Sequence, residues 1–322
     1  MTMKTDFIKF NGRYEKKDNH FYIFNGGSGI SFRMNGPSFK LYLKSSPVDC
    51  YIYVIVDRDY EHKTKLLVNN KPITFSLKEG PHDIDIVKAN EINDNILELI
   101  DLEVEGELLP YEHAYSKRVR VFGDSTIAGY GILSHTGEAS IHTSDSVRDF
   151  CFHALYEMNI EMDFFSASGY GLVFSIYTQP NRNGIINYIN KVAVDKTVDY
   201  IDNSKYDLLI ISLGTNDTSY ITESPTLREE RINEFKENYK RLIDSELSKN
   251  PDLKILMIYG TLKEEYAYYL VDATYEYLKP FYKNLCIHKF NGDNTGINGH
   301  AYVDGHDLMA EELKNVIQSI LY

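Results

Sequence analysis

The chain of 322 residues has no tryptophan, three cysteines and no apolar run as long as a membrane span. A transmembrane helix needs about 18 or more consecutive apolar residues, so the sequence argues against a membrane-spanning protein. Cys50, Cys151 and Cys286 lie far apart and form no Cys-x-x-Cys or Cys/His pattern. We therefore expect no zinc site and no disulfide framework, but three buried, reduced thiols.

Basic residues are fewer than acidic ones: the chain has 34 Lys and Arg and 47 Asp and Glu, which gives a net charge of −13. Nucleic acids and anionic membranes are bound through basic faces, so neither is an expected partner. The start of the chain lacks the apolar core of a signal peptide, and we expect a cytoplasmic protein, secreted only if such a peptide was removed. At about 100–200 residues per domain, the length predicts two domains.

The first third of the chain is rich in short β-branched and aromatic segments separated by Asn-Gly, Gly-Pro and Asn-Lys-Pro turns. Predicted strands are 21–24, 29–34, 39–43, 51–56, 73–77, 83–87, 96–100 and 102–109. This spacing is typical of an antiparallel sandwich or jelly roll. We expect it to occupy residues 1–113.

From about residue 114 to residue 322, apolar strands alternate with helical stretches, which predicts a parallel sheet covered on both faces in an α/β domain. The predicted strands are 118–122, 162–166, 206–212, 253–259 and 285–289. The predicted helices are 146–159, 182–200, 226–248, 265–280 and 304–321.

The first parallel strand leads directly into Gly123-Asp-Ser125-Thr. A serine on a tight turn at this point is presented at the carboxyl edge of the sheet, where open α/β sheets bind their ligands. Ser125 is therefore a candidate nucleophile whose own N–H can stabilise an oxyanion. The alternative is a helix cap.

Two neighbouring strand ends carry further hydrogen-bond donors. Gly214-Thr-Asn216-Asp217 offers the amide of Asn216 to a developing oxyanion, and the glycine-rich loop 166–172 offers a backbone N–H. Taken alone, Asn216 or Asp217 would be a helix cap and the glycines turn residues.

A serine nucleophile also needs a general base. His300 lies in the loop before the last predicted helix, from which it can reach back over the strand ends, whereas His306 falls in the first helical turn and is expected to pack or cap there. Apart from this context, a loop histidine is an ordinary surface residue.

Four of these blocks resemble the SGNH (GDSL-type) hydrolase superfamily: Gly123-Asp-Ser125, the Gly169/Gly171 loop, Gly214-x-Asn216-Asp217 and the late His300. Within it, the chain is most similar to carbohydrate esterase family two, deacetylases with a jelly roll in front of the hydrolase domain. Gly12-Arg13, His82-x-Ile-x-Ile-x-Lys88-x-x-Glu91, Ser168-Gly-Tyr-Gly171 and a second Gly-His at residues 305–306 also resemble that family.

The resemblance implies a three-layer α/β/α fold and an oxyanion hole formed by Ser125, Gly171 (Gly169 as second choice) and Asn216. It implies no cofactor and no metal. The acid that usually precedes the histidine is missing, since Ile297 and Asn298 stand there. A backbone carbonyl or Asn298 would then orient the imidazole, with slow turnover or a basic shift of the pH optimum expected. Because tryptophan is absent, the family's aromatic substrate platform would fall to Tyr170, Tyr177 or Tyr302.

The sequence thus predicts a serine esterase that removes O-acetyl groups from an oligo- or polysaccharide through Ser125 and His300. Three alternatives remain open: a general short-chain esterase or lipase, a non-catalytic carbohydrate-binding protein, and an acyltransferase between sugars.

Overall fold

A computed structural model describes residues 5–177, 183–262 and 265–322. Short, alternating apolar segments build the N-terminal region, in which nine strands pair antiparallel. They are β1 (Ile8–Asn11), β2 (Tyr14–Lys17), β3 (His20–Ile23), β4 (Gly29–Ser46), β5 (Cys50–Val56), β6 (Thr64–Val68), β7 (Ile73–Ser76), β8 (Pro81–Lys88) and β9 (Ile96–Leu109). The predicted β-sandwich is confirmed.

In two places, two consecutive predicted strands are one long strand in the structure. Residues 29–34 and 39–43 both belong to β4, which pairs with β8 in its first half and with β7 in its second. Its register against β9 shifts between Asn35 and Ser38, where Gly36-Pro37 interrupts the pattern. The sequence missed β1, β2 and β6 because these edge strands are short and partly polar.

The second sheet is parallel, with the order β11–β10–β12–β13–β14. Its strands are β10 (Lys117–Gly123), β11 (Ile160–Ser166), β12 (Leu208–Ser212), β13 (Lys254–Tyr259) and β14 (Leu285–Lys289). Its helices are α1 (Ser125–Ala128), α2 (Phe150–Glu157), α3 (Thr215–Glu223), α4 (Arg228–Leu247), α5 (Glu265–Leu278) and α6 (Val303–Leu321). Since β9 ends at Leu109, the change from one sheet to the other falls within residues 110–116.

Helices cover both faces of the parallel sheet. On one face α2 and α6 pack together through Phe150, Leu155 and Leu313. On the other, α4 and α5 bury Phe235 and Leu270. This confirms the three-layer α/β/α architecture and brings the carboxyl ends of all five strands to one edge. Among the described helices, none has the length and apolar character needed to cross a membrane.

The predicted helix over 182–200 is wrong. Residue 182 lies outside the described residues, and the rest contains one 3₁₀ turn, Ile185–Asn187, followed by irregular chain. Its main-chain carbonyls bind the sandwich: the buried Arg13 guanidinium donates to the carbonyls of Ile189 and Lys191, both at 2.8 Å. The main chain of the segment also pairs in a non-helical way, since the Val192 N–H donates to the Val198 carbonyl and the Tyr200 N–H to the Asn190 carbonyl.

Of the three cysteines, all are free; Cys50 and Cys151 are buried as expected, whereas Cys286 is only partly buried.

Candidate active site

Ser125 is the first residue of α1, directly after the strand β10 and the turn Gly123-Asp124. The helix is capped by Asp124, whose carboxylate accepts from the Thr126 N–H at 3.1 Å. The capping role that was the alternative for Ser125 therefore belongs to its neighbour. A side chain at Gly123 would collide with Ile127, so the tight turn needs glycine.

His300 reaches Ser125 from the loop before α6. Its Nε2 lies 2.7 Å from the Ser125 Oγ, and its Nδ1 lies 3.1 Å from the main-chain carbonyl of Ile297. Because a carbonyl can only accept, Nδ1 carries the proton of the neutral ring, and Nε2 is left as the acceptor for the serine proton.

A main-chain carbonyl thus stands where related sites use an acid. Asn298 has a different partner: its side-chain amide donates to the Tyr130 hydroxyl at 3.1 Å. Of the two groups predicted to orient the imidazole, the structure brings the carbonyl of Ile297, and not the Asn298 side chain, to Nδ1.

Burial controls the protonation of this histidine. His300 is only 7% exposed, and desolvation lowers its pKa below the ordinary value, opposed by its hydrogen bond to Ile297. A lowered pKa keeps the imidazole neutral, and hence basic, at neutral pH. The direction of this pKa shift is opposite to the basic shift of the pH optimum expected from the missing acid.

We expect kcat/KM for a neutral ester to rise with pH along a limb whose midpoint lies below 6.5, the ordinary histidine value. The neutral form of His300 is the active one, so activity falls as pH drops through the lowered pKa. A pH–rate profile with 4-nitrophenyl acetate, which does not ionise in this range, measures the midpoint. A midpoint above 6.5 would contradict this description of the base.

Asn216 lies in the first turn of α3, at the end of the strand next to β10. Its Nδ2 donates to the main-chain carbonyl of Tyr170 at 3.2 Å. A primary amide nitrogen carries two hydrogens, and this contact uses only one of them.

The loop after β11 contains the backbone donors. From Ala167 to Phe174, every N–H except that of Gly169 has an acceptor among the described residues. The acceptors are Gly123 O, Glu91 Oε2, Ala167 O and Phe174 O for residues 167, 168, 170 and 171, and the Asp217 carboxylate for residues 172–174.

The N–H of Gly171, the first choice from the sequence, is therefore already hydrogen-bonded within the loop. This N–H is bound to the Phe174 carbonyl at 2.7 Å, and a side chain at Gly171 would collide with Asp217. The second choice, Gly169, has the free N–H and a φ of 77°, which favours glycine. Asp217 is not a simple cap: its buried carboxylate gathers three loop N–H groups, while burial raises its pKa to about 6.

The tyrosines proposed as a substrate platform differ in exposure. Tyr170 is 1% exposed and its hydroxyl binds Asp195, so it cannot present its ring to a ligand. Tyr302 is partly buried and stacks on His135, with ring centroids 3.8 Å apart. Tyr177 is 59% exposed and lies against Gly169.

Tyr130 was missed from the sequence. Its ring lies 4.9 Å from the His300 ring, and its hydroxyl accepts from the Asn298 side-chain amide at 3.1 Å. The signal was present, because Tyr130 follows Ser125 by five residues in the same block. His306, by contrast, is buried and accepts from the Phe150 N–H at 3.1 Å, which agrees with the packing role expected for it.

A serine hydroxyl in contact with a neutral imidazole, at the carboxyl edge of a five-stranded parallel sheet, is the arrangement of a serine hydrolase on an α/β fold. Residues 119–313, more than half of the chain, match the model "GDSL-like Lipase/Acylhydrolase", and the chain belongs to this family. Residues 10–111 match the model "Carbohydrate esterase 2 N-terminal". The two models support the assignment of a carboxylic ester hydrolase of the carbohydrate esterase type, as the sequence predicts.

Solved structures share the fold over the whole chain. A family two carbohydrate esterase from Cellvibrio japonicus has a TM-score of 0.85 and 18% identity, with 98% of this chain and 96% of that one covered. One from Clostridium thermocellum, in complex with cellohexaose, has a TM-score of 0.83 and 22% identity over 97% and 98%. An acetyl xylan esterase from Butyrivibrio proteoclasticus has 0.83 and 16% over 98% and 96%. No curated protein sequence matches.

Proposed function

We propose that the protein removes O-acetyl groups from carbohydrates by a Ser125–His300 acyl-enzyme mechanism, with residues 1–113 and 114–322 as its two domains. The observation that carries the proposal is the 2.7 Å contact between the Ser125 Oγ and the Nε2 of a histidine whose Nδ1 faces a carbonyl. This pairing makes the serine nucleophilic and leaves a proton on the imidazole for the leaving alcohol.

In the first step the Ser125 Oγ attacks the ester carbonyl carbon while Nε2 of His300 takes the hydroxyl proton. The tetrahedral oxyanion is stabilised by the N–H groups of Ser125 and Gly169 and by the Asn216 amide. As the intermediate collapses, the C–O bond to the sugar breaks and His300 delivers its proton to the sugar oxygen. Water, activated by the same imidazole, then hydrolyses the acetyl-serine and restores the free enzyme.

The imidazolium formed in each step has no carboxylate partner. The Ile297 carbonyl accepts its Nδ1 proton and offers a partial negative charge in place of a full one. This geometry supports catalysis by a dyad and weighs against a non-catalytic binding protein, the alternative suggested by the missing acid.

A carbohydrate substrate is supported by two features. Structures with the same fold include family two carbohydrate esterases, one in complex with cellohexaose, and an acetyl xylan esterase. The exposed Tyr177 beside Gly169 offers a ring face on which a neutral sugar can stack. A series of 4-nitrophenyl esters of increasing chain length, compared with acetylated xylo- and cello-oligosaccharides, separates a deacetylase from a general esterase or lipase.

We expect Tyr177→Ala to raise KM for an acetylated oligosaccharide about fivefold, because an aromatic contact is worth about 1 kcal/mol. KM for 4-nitrophenyl acetate should not change, since that ester has no sugar to stack. Tyr269→Ala is the matched control, because Tyr269 is equally exposed, at 60%, but lies on α5. Equal effects on both substrates would remove Tyr177 from the sugar-binding surface.

A further inference from the structure

Both main-chain polar groups of Ser168 are bound by side chains from the N-terminal sandwich. The Ser168 N–H donates to Oε2 of Glu91 at 2.7 Å, and the Ser168 carbonyl accepts from Nδ2 of Asn93 at 2.8 Å. Glu91 and Asn93 belong to the loop between β8 and β9, about 75 residues away in sequence.

These contacts determine the orientation of the next N–H. The Ser168 carbonyl and the Gly169 N–H are the two ends of one peptide group, which is planar. A carbonyl that is held in place therefore fixes the direction of the Gly169 N–H. This is the one N–H of residues 167–174 that has no acceptor among the described residues. A hydrogen bond accepted by that carbonyl also polarises the peptide and strengthens the N–H as a donor.

The loop needs such support at this end. Asp217 orders residues 172–174, but Gly169 is a glycine with positive φ and has wide conformational freedom of its own. Glu91 is held firmly: it is 3% exposed, and the buried Lys88 ammonium donates to its main-chain carbonyl at 3.1 Å.

We propose that Glu91 and Asn93 are positioning residues, which hold the Ser168–Gly169 peptide so that the Gly169 N–H completes the oxyanion hole. The sandwich is thereby part of the active site and not only a neighbouring wall. This inference rests on the esterase mechanism proposed above, and it adds a requirement that the hydrolase fold alone does not contain.

The test compares four variants of the full chain with the wild type. Glu91→Ala and Asn93→Ala each remove one of the two contacts, and Glu91→Gln keeps an acceptor oxygen while removing the charge. Asn95→Ala is the matched control: it lies in the same loop and loses a similar amide-to-carbonyl bond, to Asp49 at 3.1 Å, with no contact to Ser168. Thermal unfolding, kcat and KM with 4-nitrophenyl acetate, and inhibition by an alkylboronic acid are measured for each.

An oxyanion donor acts in the transition state and not in the ground state, so kcat should fall with KM nearly unchanged. Complete loss of one donor costs about 10²–10³-fold, and we expect about 10- to 100-fold for a donor that is misdirected. The boronic acid, which forms a tetrahedral adduct on serine, should bind more weakly by a similar factor. Glu91→Gln should stay within about threefold of the wild type, since it keeps the hydrogen-bond acceptor.

Unchanged kcat and boronate affinity in Glu91→Ala and Asn93→Ala would overturn the proposal. So would an equal loss in Asn95→Ala, because that would assign the effect to loop stability. Activity retained in Ser125→Ala would overturn the esterase mechanism itself. If Ser125→Ala is inactive while Glu91→Ala and Asn93→Ala are fully active, only the positioning role is overturned.

Discussion

We expect Ser125→Ala to lower kcat for 4-nitrophenyl acetate by at least about 10⁴-fold, because removing the nucleophile of a serine hydrolase leaves only the oxyanion hole and substrate binding. The fold should not change. The side chain of Ser125 hydrogen-bonds to His300, while the cap of α1 comes from Asp124.

Ser134→Ala is the control for this variant. Its hydroxyl donates to the Thr136 carbonyl at 2.8 Å in the same segment, without contact to His300. Full activity in Ser134→Ala together with loss in Ser125→Ala assigns the effect to the nucleophile. More than about a tenth of the wild-type rate in Ser125→Ala would exclude an acyl-enzyme on this residue.

The second large effect is expected for Asn216→Ala, which should lower kcat about 10²- to 10³-fold, or about 2.7–4 kcal/mol of transition-state stabilisation. One amide hydrogen of the side chain binds the Tyr170 carbonyl, and in the proposed mechanism the other donates to the oxyanion. Both losses act in the same direction, since the first also loosens the loop that carries Gly169.

Ser219→Ala is the matched control for Asn216→Ala. Ser219 lies one turn further along α3 and donates to the main-chain carbonyl of Asn216 at 2.8 Å, so its loss changes the same helix without removing an oxyanion donor. Steady-state kcat and KM are measured for the wild type, Asn216→Ala and Ser219→Ala. A raised KM with unchanged kcat in Asn216→Ala would indicate ground-state binding of the substrate and contradict an oxyanion role.

The parallel half of the fold was predictable because its signal is local. Strands that are covered on both faces are rich in apolar residues, and all five predicted strands of this kind are strands of the second sheet. The same periodicity placed Ser125, Asn216 and His300 at one edge, because residues that follow parallel strands meet there. The contact between Ser125 and His300 agrees with this topology.

Other features depend on contacts that the sequence does not display. The sequence alone does not distinguish Gly169 from Gly171 as the oxyanion donor. Only the hydrogen bond between the Gly171 N–H and the Phe174 carbonyl shows which N–H is free. From the sequence, Tyr170 was a candidate for an exposed aromatic platform, but in the structure its hydroxyl binds Asp195. The segment predicted as a helix over 182–200 is rich in β-branched residues, and two of its main-chain carbonyls accept from Arg13 of the sandwich.

The role of the N-terminal sandwich was also beyond the sequence. Glu91 belongs to a motif that resembles carbohydrate esterase family two, yet its partner, Ser168, lies in the loop that follows β11 of the second sheet. A buried carboxylate with a pKa raised to about 7 by desolvation is costly unless it is hydrogen-bonded. The hydrogen bond from the Ser168 N–H to the Glu91 carboxylate offsets this cost.

The central claim is that this chain deacetylates a carbohydrate through Ser125. The most direct measurement is NMR of acetylated xylo- and cello-oligosaccharides incubated with the wild type and with Ser125→Ala. We expect free acetate and a sugar with its hydroxyl restored for the wild type, and neither product for Ser125→Ala. Acetylated sugars that remain intact while 4-nitrophenyl acetate is cleaved, or deacetylation that persists in Ser125→Ala, would contradict the account.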